Sequence, residues 1–169
     1  MKPSFRNLAP SYFRNFIFGV EDSLVSTVGL LSGIAAAEFS KSAILLTGII
    51  LILVEASSMA AGSFLSEFSA EEYAKTSDHP VKNSFISASI MFFSYFFSGF
   101  IPLFPYVLFP PLRAMIISIL LSILSLFFLG VIGAKISKAS VLKNSIRMAV
   151  IGGIAIVLGF TAGILIPNV

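Results

Sequence analysis

Carboxyl groups stand where an otherwise apolar stretch of chain should have none. Glu21 and Asp22 lie near the start of GVEDSLVSTVGLLSG (19–33), and Glu55 stands inside a second apolar stretch. An ionisable side chain in the hydrocarbon of a bilayer costs about 2.5–3.5 kcal/mol on insertion scales, so such a residue marks a functional site by default. Met59 follows Glu55 by one helical turn on the same face. A carboxylate beside a thioether indicates a site for a divalent metal ion.

The available donor atoms narrow the choice of metal. Oxygen ligands alone suit Mg²⁺, Ca²⁺ or Mn²⁺, whereas a methionine sulfur adds a preference for softer transition metals. The chain has no cysteine, which excludes disulfides and thiolate ligands, and its one histidine, His79, lies outside the apolar stretches. Fe²⁺, Co²⁺ or Mn²⁺ would suit such a mixed oxygen and sulfur site. The alternative is that Met59 only fills a gap in the packing.

On the first stretch, helical spacing favours Asp22 over Glu21 as the residue that lines a path. Successive helical residues point about 100° apart, so the two acids cannot share a face. Glu21 falls on a more apolar side and is expected to face water or a basic partner such as Arg14. One stripe at i, i+4, i+7 and i+11 contains Asp22, Ser26, Gly29 and Gly33.

On the second stretch, Glu55, Met59 and Ser63 follow one another at i+4 spacing. At 1.5 Å per residue, Glu55 lies about 18 Å and Met59 about 12 Å from a membrane boundary at Glu67, and Asp22 should match the depth of Met59. An empty carboxyl at this depth should carry a proton, because burying its charge is costly. Release of that proton when a metal binds is typical of a proton-coupled exchanger.

An acidic group follows the second stretch and is expected to collect cations at the entrance of a path. Its members are Glu67, Glu71 and Glu72, with Asp78 and His79 further on. The alternative is a solvated helix end in which Lys75 pairs with Glu71 at i+4.

The elements that must position these residues are membrane-spanning helices. The chain is 57% hydrophobic and 11% charged, against about 45–50% and 25% in soluble domains. An all-α integral membrane protein is therefore predicted, with residues 1–169 forming a single transmembrane domain. Prolines in GFIPLFPYVLFPP (99–111) are expected to break the third helix near residue 101. The predicted spans, each close to the length that crosses a bilayer, are approximately 15–37, 42–66, 84–101, 114–134 and 148–166.

The basic residues predict the orientation of these spans. Five spans give one side of the membrane Lys2, Arg6, Arg14, Lys75, Lys82, Lys135, Lys138, Lys143 and Arg147, and the other side Lys41 and Arg113. By the positive-inside rule the N-terminus is cytoplasmic. The basic residues are thus topology signals, and no nucleic-acid partner is expected.

Glycines at i+4 spacing predict close contacts between helices. Gly29 and Gly33 on the first helix, and Gly159 and Gly163 on the fifth, fit the small-xxx-small pattern that lets two backbones approach each other. The pattern does not name the helix against which each pair packs.

Two motifs resemble those of the vacuolar iron transporter family. RNFIFGVEDSLVSTVGLLSGIAAA (14–37) resembles the first-helix signature of that family, and SSMAAGSFLSEFSAEE (57–72) resembles its second-helix motif. Pro102 and Pro105, with the small-residue helices that follow, also agree. The resemblance covers essentially the whole chain in a five-span layout.

The resemblance implies a homodimer in the lipid bilayer whose first helices line a path on the two-fold axis. It implies export of Fe²⁺ or Mn²⁺ from the cytoplasm in exchange for protons, with Asp22 and Met59 in the path. The membrane would be the cell membrane in a prokaryote and a vacuolar-type membrane in a eukaryote. The chain resembles members that lack the cytoplasmic metal-binding insert, and it carries Ser63 where the family motif usually has a glutamate, with Glu55 two turns away.

Two other classes of function stay open at this point. An intramembrane enzyme could use Asp22 and Glu55 as a two-carboxylate site, although their predicted depths differ by about 6 Å. A non-transporting scaffold or metal sensor could bind the ion without moving it. The expectation is a transporter that is not an enzyme and that needs no cofactor.

Overall fold

The computed structural model describes residues 9–74 and 80–165. Lys2, Arg6, Lys75, Asp78 and His79, which entered the predictions above, lie outside these residues. The described chain forms five α-helices and no strand. The helices are α1 (Ala9–Ala36), α2 (Lys41–Ala74), α3 (Pro80–Leu108), α4 (Pro111–Ser137) and α5 (Val141–Leu165).

All five helices are long and apolar enough to cross a bilayer, which confirms the predicted all-α membrane fold. Short turns join α1 to α2, α3 to α4 and α4 to α5. Glu38 and Lys138 adopt the left-handed conformation, with φ of 60° and 56°, and so end α1 and α4. Pro110 and Pro111 separate α3 from α4, with Pro111 in the first turn of α4, where a missing N–H costs nothing.

Helix α1 is the centre of the bundle and packs against each of the other four helices. Half of its most apolar 18-residue window is buried, against 17% of the window of α5. The helices α1, α3 and α5 begin at one end of the bundle, called here the N-terminal end, and α2 and α4 finish there. A central α1 places Asp22 within reach of side chains from several helices.

The predicted glycine pairs pack against each other, α1 against α5. A Cβ atom added at Gly33 would lie 2.6 Å from the carbonyl oxygen of Gly159. A Cβ atom at Gly159 would overlap the carbonyl oxygen of Gly29, and one at Gly163 would overlap that of Gly33. The backbones of α1 and α5 therefore touch, a separation that only glycine permits at these positions.

The prediction that prolines break the third helix near residue 101 was wrong. Pro102 and Pro105 lie inside α3, which continues to Leu108. Both rings are fully buried, and the Ser118 hydroxyl of α4 donates a hydrogen bond of 2.7 Å to the carbonyl of Pro102. Neighbouring helices in a membrane can satisfy the backbone groups that a proline frees, so the helix is not interrupted.

Candidate functional site

An open groove of about 540 Å³ runs along the contact between α1 and α5. The four residues of the predicted stripe, Asp22, Ser26, Gly29 and Gly33, all line it. Asp22 lies nearest the N-terminal end and carries the only carboxylate among the described residues of the lining, whereas the rest is mostly apolar. Periodicity alone therefore identified the face of α1 that borders this groove.

A second carboxyl group and a buried phenol lie close to Asp22. Glu55 of α2 is within electrostatic range of Asp22, and the Tyr95 hydroxyl of α3 is within range of both. That hydroxyl shares a 2.7 Å hydrogen bond with the hydroxyl of Ser26, and Ser23 donates a 2.6 Å hydrogen bond to the Tyr95 carbonyl oxygen. Tyr95 is fully buried, so it fixes the Asp22 face of α1 against α3.

The face of α2 that carries Glu55 is partly turned toward the interior of the bundle. Glu55, Met59 and Ser63 are each half-buried, as their shared i+4 spacing requires. The Ser63 hydroxyl is buried and has no hydrogen-bond partner among residues 9–74 and 80–165. None of the three is among the residues that line the α1–α5 groove.

The basic partner suggested for Glu21 was wrong. Arg14 lies 3.6 Å from a carboxylate oxygen of Glu67, whereas the basic group within electrostatic range of Glu21 is Arg147 of α5. Over the described part of the chain, Arg14–Glu67 is the only salt bridge. Asp22 and Glu55 are therefore free of a tight ion pair with any described basic residue.

The acids at the end of α2 differ in their surroundings. The Ser11 hydroxyl donates its proton to the carboxylate of Glu67, whose two oxygens lie 2.9 and 2.8 Å away. Glu71 is 9% exposed and accepts a 3.0 Å hydrogen bond from the Asn83 amide of α3. Glu72 is exposed. Two of the three acids thus join the end of α2 to the starts of α1 and α3.

The described part of one chain does not bring a complete set of ionisable metal ligands together. In the ranges 9–74 and 80–165, no three His, Asp or Glu residues converge on a point that a metal ion could occupy. Asp22 and Glu55 supply two carboxyl groups in range of each other. This pair can attract a divalent cation, but further ligands would have to come from sulfur, hydroxyl or water, or from a second copy of the chain.

Sequence reasoning missed Tyr95, Arg147 and Asn83 as partners of the acids. The signal for Tyr95 was a single phenol in the phenylalanine-rich stretch SIMFFSYFFSGF (89–100). A hydroxyl there needs a polar partner when it is buried. Arg147 and Asn83 gave no such signal, because each is an ordinary polar residue near the start of a helix.

Five apolar helices and an open groove that carries a carboxylate along the central helix α1 define an integral membrane protein. The model of the VIT family matches residues 13–80 and 70–164. The chain is 30% identical over 165 residues to vacuolar iron transporter homolog 3 of Arabidopsis thaliana, over 89% of this chain and 82% of that protein. Vacuolar iron transporter homolog 4 of the same plant is 29% identical over 164 residues, which again cover 89% of this chain and 82% of that protein.

The chain therefore belongs to the VIT family, which confirms the resemblance inferred from the motifs in α1 and α2. Members of this family are transporters. That membership confirms the expectation that the protein is not an enzyme, and it rejects the intramembrane enzyme as an alternative.

Proposed function

We propose that the protein exports a divalent transition metal, Fe²⁺ or Mn²⁺, from the cytoplasm across its membrane in exchange for protons. The observation that carries the proposal is Asp22, half-buried in the α1–α5 groove, with Glu55 within electrostatic range. Family membership supports metal transport, and the names of the relatives point to iron. Co²⁺ is a further candidate substrate, since the same oxygen and sulfur donors suit it.

Asp22 and Met59 are the proposed transport ligands, and Glu55 is the proposed carboxyl that exchanges a proton for the metal. Two carboxyl groups in range of each other repel when both are charged. A divalent cation relieves the repulsion, and in its absence a proton does. Ser26, Gly29 and Gly33 line the path on α1 in this proposal, and Ser63 offers on α2 a hydroxyl that no described residue bonds.

The acids at the end of α2 are proposed to form the entrance to the path. Glu72 is exposed and can attract cations from solution. Glu67 and Glu71 are within hydrogen-bond distance of Ser11 and Asn83, so a metal ion would have to compete with these partners. We propose that the three form a weak collecting site that raises the local cation concentration.

The active form is proposed to be a homodimer in the lipid bilayer, related by a two-fold axis beside α1. The α1–α5 groove is open and mostly apolar, and the described residues of one chain bring no three ionisable ligands together for a metal ion. A two-fold axis along this groove would bring two copies of Asp22 together and cover the apolar lining. The N-terminal end is proposed to be cytoplasmic, by the distribution of basic residues.

Cross-linking tests the dimer, because the chain has no cysteine of its own. Leu30 lines the groove on α1, whereas Leu124 is 52% exposed on α4. A single cysteine from Leu30→Cys should give a cross-linked dimer in membranes under mild oxidation, and one from Leu124→Cys should not. Equal yields from both variants, or none from Leu30→Cys, would contradict an axis beside α1.

Transport is tested with purified protein in liposomes, by flux of Fe²⁺, Mn²⁺ and Co²⁺ with and without a pH gradient. Proton exchange predicts that metal accumulates on the acidic side. One pH unit supplies about 1.4 kcal/mol per exchanged proton, enough for roughly tenfold accumulation. A pH-sensitive dye should show protons leaving that side as the metal enters.

The same assay separates transport from the remaining alternative. Metal binding without flux would favour the non-transporting scaffold or sensor. Flux that ignores the pH gradient would leave a metal transporter but contradict proton exchange. The ratio of rates among the three metals decides which one the site prefers.

A further inference from the structure

A second groove lies between α1 and α3 and shares no residue with the Asp22 groove. Its volume is about 730 Å³, within the range of about 300–1,000 Å³ that small-molecule sites occupy. Four phenylalanines line its walls together with aliphatic side chains and serines. The phenylalanines are Phe16 of α1 and Phe85, Phe93 and Phe97 of α3.

The serines in this groove do not make it polar. Ser89 donates a 2.8 Å hydrogen bond to the carbonyl of Phe85, and Ser94 donates to the carbonyl of Ile90. These hydroxyls are therefore used within α3. Phe93 and Phe97 stack with their ring centroids 6.0 Å apart, which gives the groove a flat apolar wall suited to a hydrocarbon chain.

The groove is open because α4 moves away from α3 toward the N-terminal end. Ser118 of α4 is bonded to Pro102 near the far end of α3. At the N-terminal end, Gly133 of α4 lies instead beside Ile17 of α1. No helix of the described chain covers the aromatic wall, and Phe85, Phe93 and Phe97 are 66%, 54% and 64% exposed. In a membrane-spanning bundle, this surface meets lipid.

A positive charge stands at the N-terminal end of the same face. Lys82 precedes Phe85 by three residues and Ser89 by seven, so it shares their side of α3. Its side chain is exposed, and the salt bridge found among residues 9–74 and 80–165 does not involve it. Helices α1 and α3 both begin at this end, which adds the positive ends of two helix dipoles.

We propose that this groove binds one anionic phospholipid, with an acyl chain along the phenylalanine wall and the headgroup phosphate at Lys82. The bilayer supplies this ligand, and the charge at Lys82 selects anionic headgroups over zwitterionic ones. A lysine near the membrane surface strengthens attraction to anionic lipid by about fivefold. The expected preference for phosphatidylglycerol over phosphatidylcholine is therefore about fivefold.

The test uses the absence of tryptophan from the chain. Phe93→Trp places a single fluorophore in the groove, and Leu124→Trp places one at a comparable distance from the N-terminal end, on exposed α4 outside the groove lining. Each variant is reconstituted in mixtures of phosphatidylcholine and phosphatidylglycerol in which one lipid carries brominated acyl chains that quench tryptophan. The dependence of quenching on the mole fraction of the brominated lipid gives the relative affinity of the two lipids for the surface around each tryptophan.

Quenching should show that the site at position 93 binds phosphatidylglycerol about fivefold more tightly than phosphatidylcholine. At position 124 the two lipids should quench equally well. Adding Lys82→Gln to Phe93→Trp should remove the preference at position 93. Equal preferences at both positions, or a preference at position 93 that survives Lys82→Gln, would overturn the proposal. If neither brominated lipid quenched the tryptophan at position 93, the proposal would also be overturned, because a second copy of the chain would then cover the groove.

Discussion

The Asp22→Asn variant is expected to lose metal flux in proteoliposomes by roughly 100-fold or more. Loss of a group that only orients a metal ligand already costs about 10–100-fold in affinity or activity, and loss of a ligand should cost at least as much. Asparagine keeps the shape of the side chain and removes its charge. The substitution therefore leaves the α1–α5 groove intact and tests the carboxylate itself.

The matched control is Glu21→Gln, the same kind of change one residue earlier. Glu21 is not among the groove residues, and Arg147 is a basic group within electrostatic range of it. We expect this variant to retain flux within about threefold, because substitutions away from a built site usually change a free energy by about 0.5 kcal/mol or less. Equal losses in both variants would show a general need for negative charge there. Unchanged flux in Asp22→Asn would remove Asp22 from the path.

Helical periodicity explains why the face of α1 that lines the groove could be predicted. Long apolar stretches predict spans, because a bilayer requires about 20 residues per helix. Within one helix the side-chain directions are fixed, so spacing alone grouped Asp22, Ser26, Gly29 and Gly33 on one face. All four line the same groove. The same reasoning placed Glu55, Met59 and Ser63 on a shared, half-buried face of α2.

Contacts between helices were not predictable in the same way. Tyr95 meets Ser26 across two helices, and Arg14 pairs with Glu67 rather than Glu21, because rotation and packing of whole helices decide such partners. The prediction that Pro102 and Pro105 would break α3 was wrong for a related reason. The rule that proline ends a helix comes from proteins in water, where solvent can bond the backbone carbonyl that proline leaves free. In a membrane bundle a neighbouring helix must bond that carbonyl, and the helix continues.

The Gly159→Ala variant is expected to lose about 1–3 kcal/mol of folding free energy, the usual cost of overpacking a tight contact. The new methyl group would overlap the carbonyl oxygen of Gly29 and approach its Cα atom to 3.1 Å. Both atoms belong to the backbone of α1, so no side-chain rotation can relieve the overlap. Helices α1 and α5 must separate, which also widens the groove that holds Asp22. Thermal unfolding in detergent measures the loss.

Gly153→Ala provides the control on the same helix. A Cβ atom at Gly153 would have no heavy atom within 4 Å, and alanine favours a helix over glycine by up to about 1 kcal/mol. This variant should be as stable as the parent or slightly more so. Because the two substitutions are chemically identical, a difference between them isolates contact with α1 from any effect on helix propensity. If both variants matched the parent in stability, close backbone contact between α1 and α5 would not support the fold.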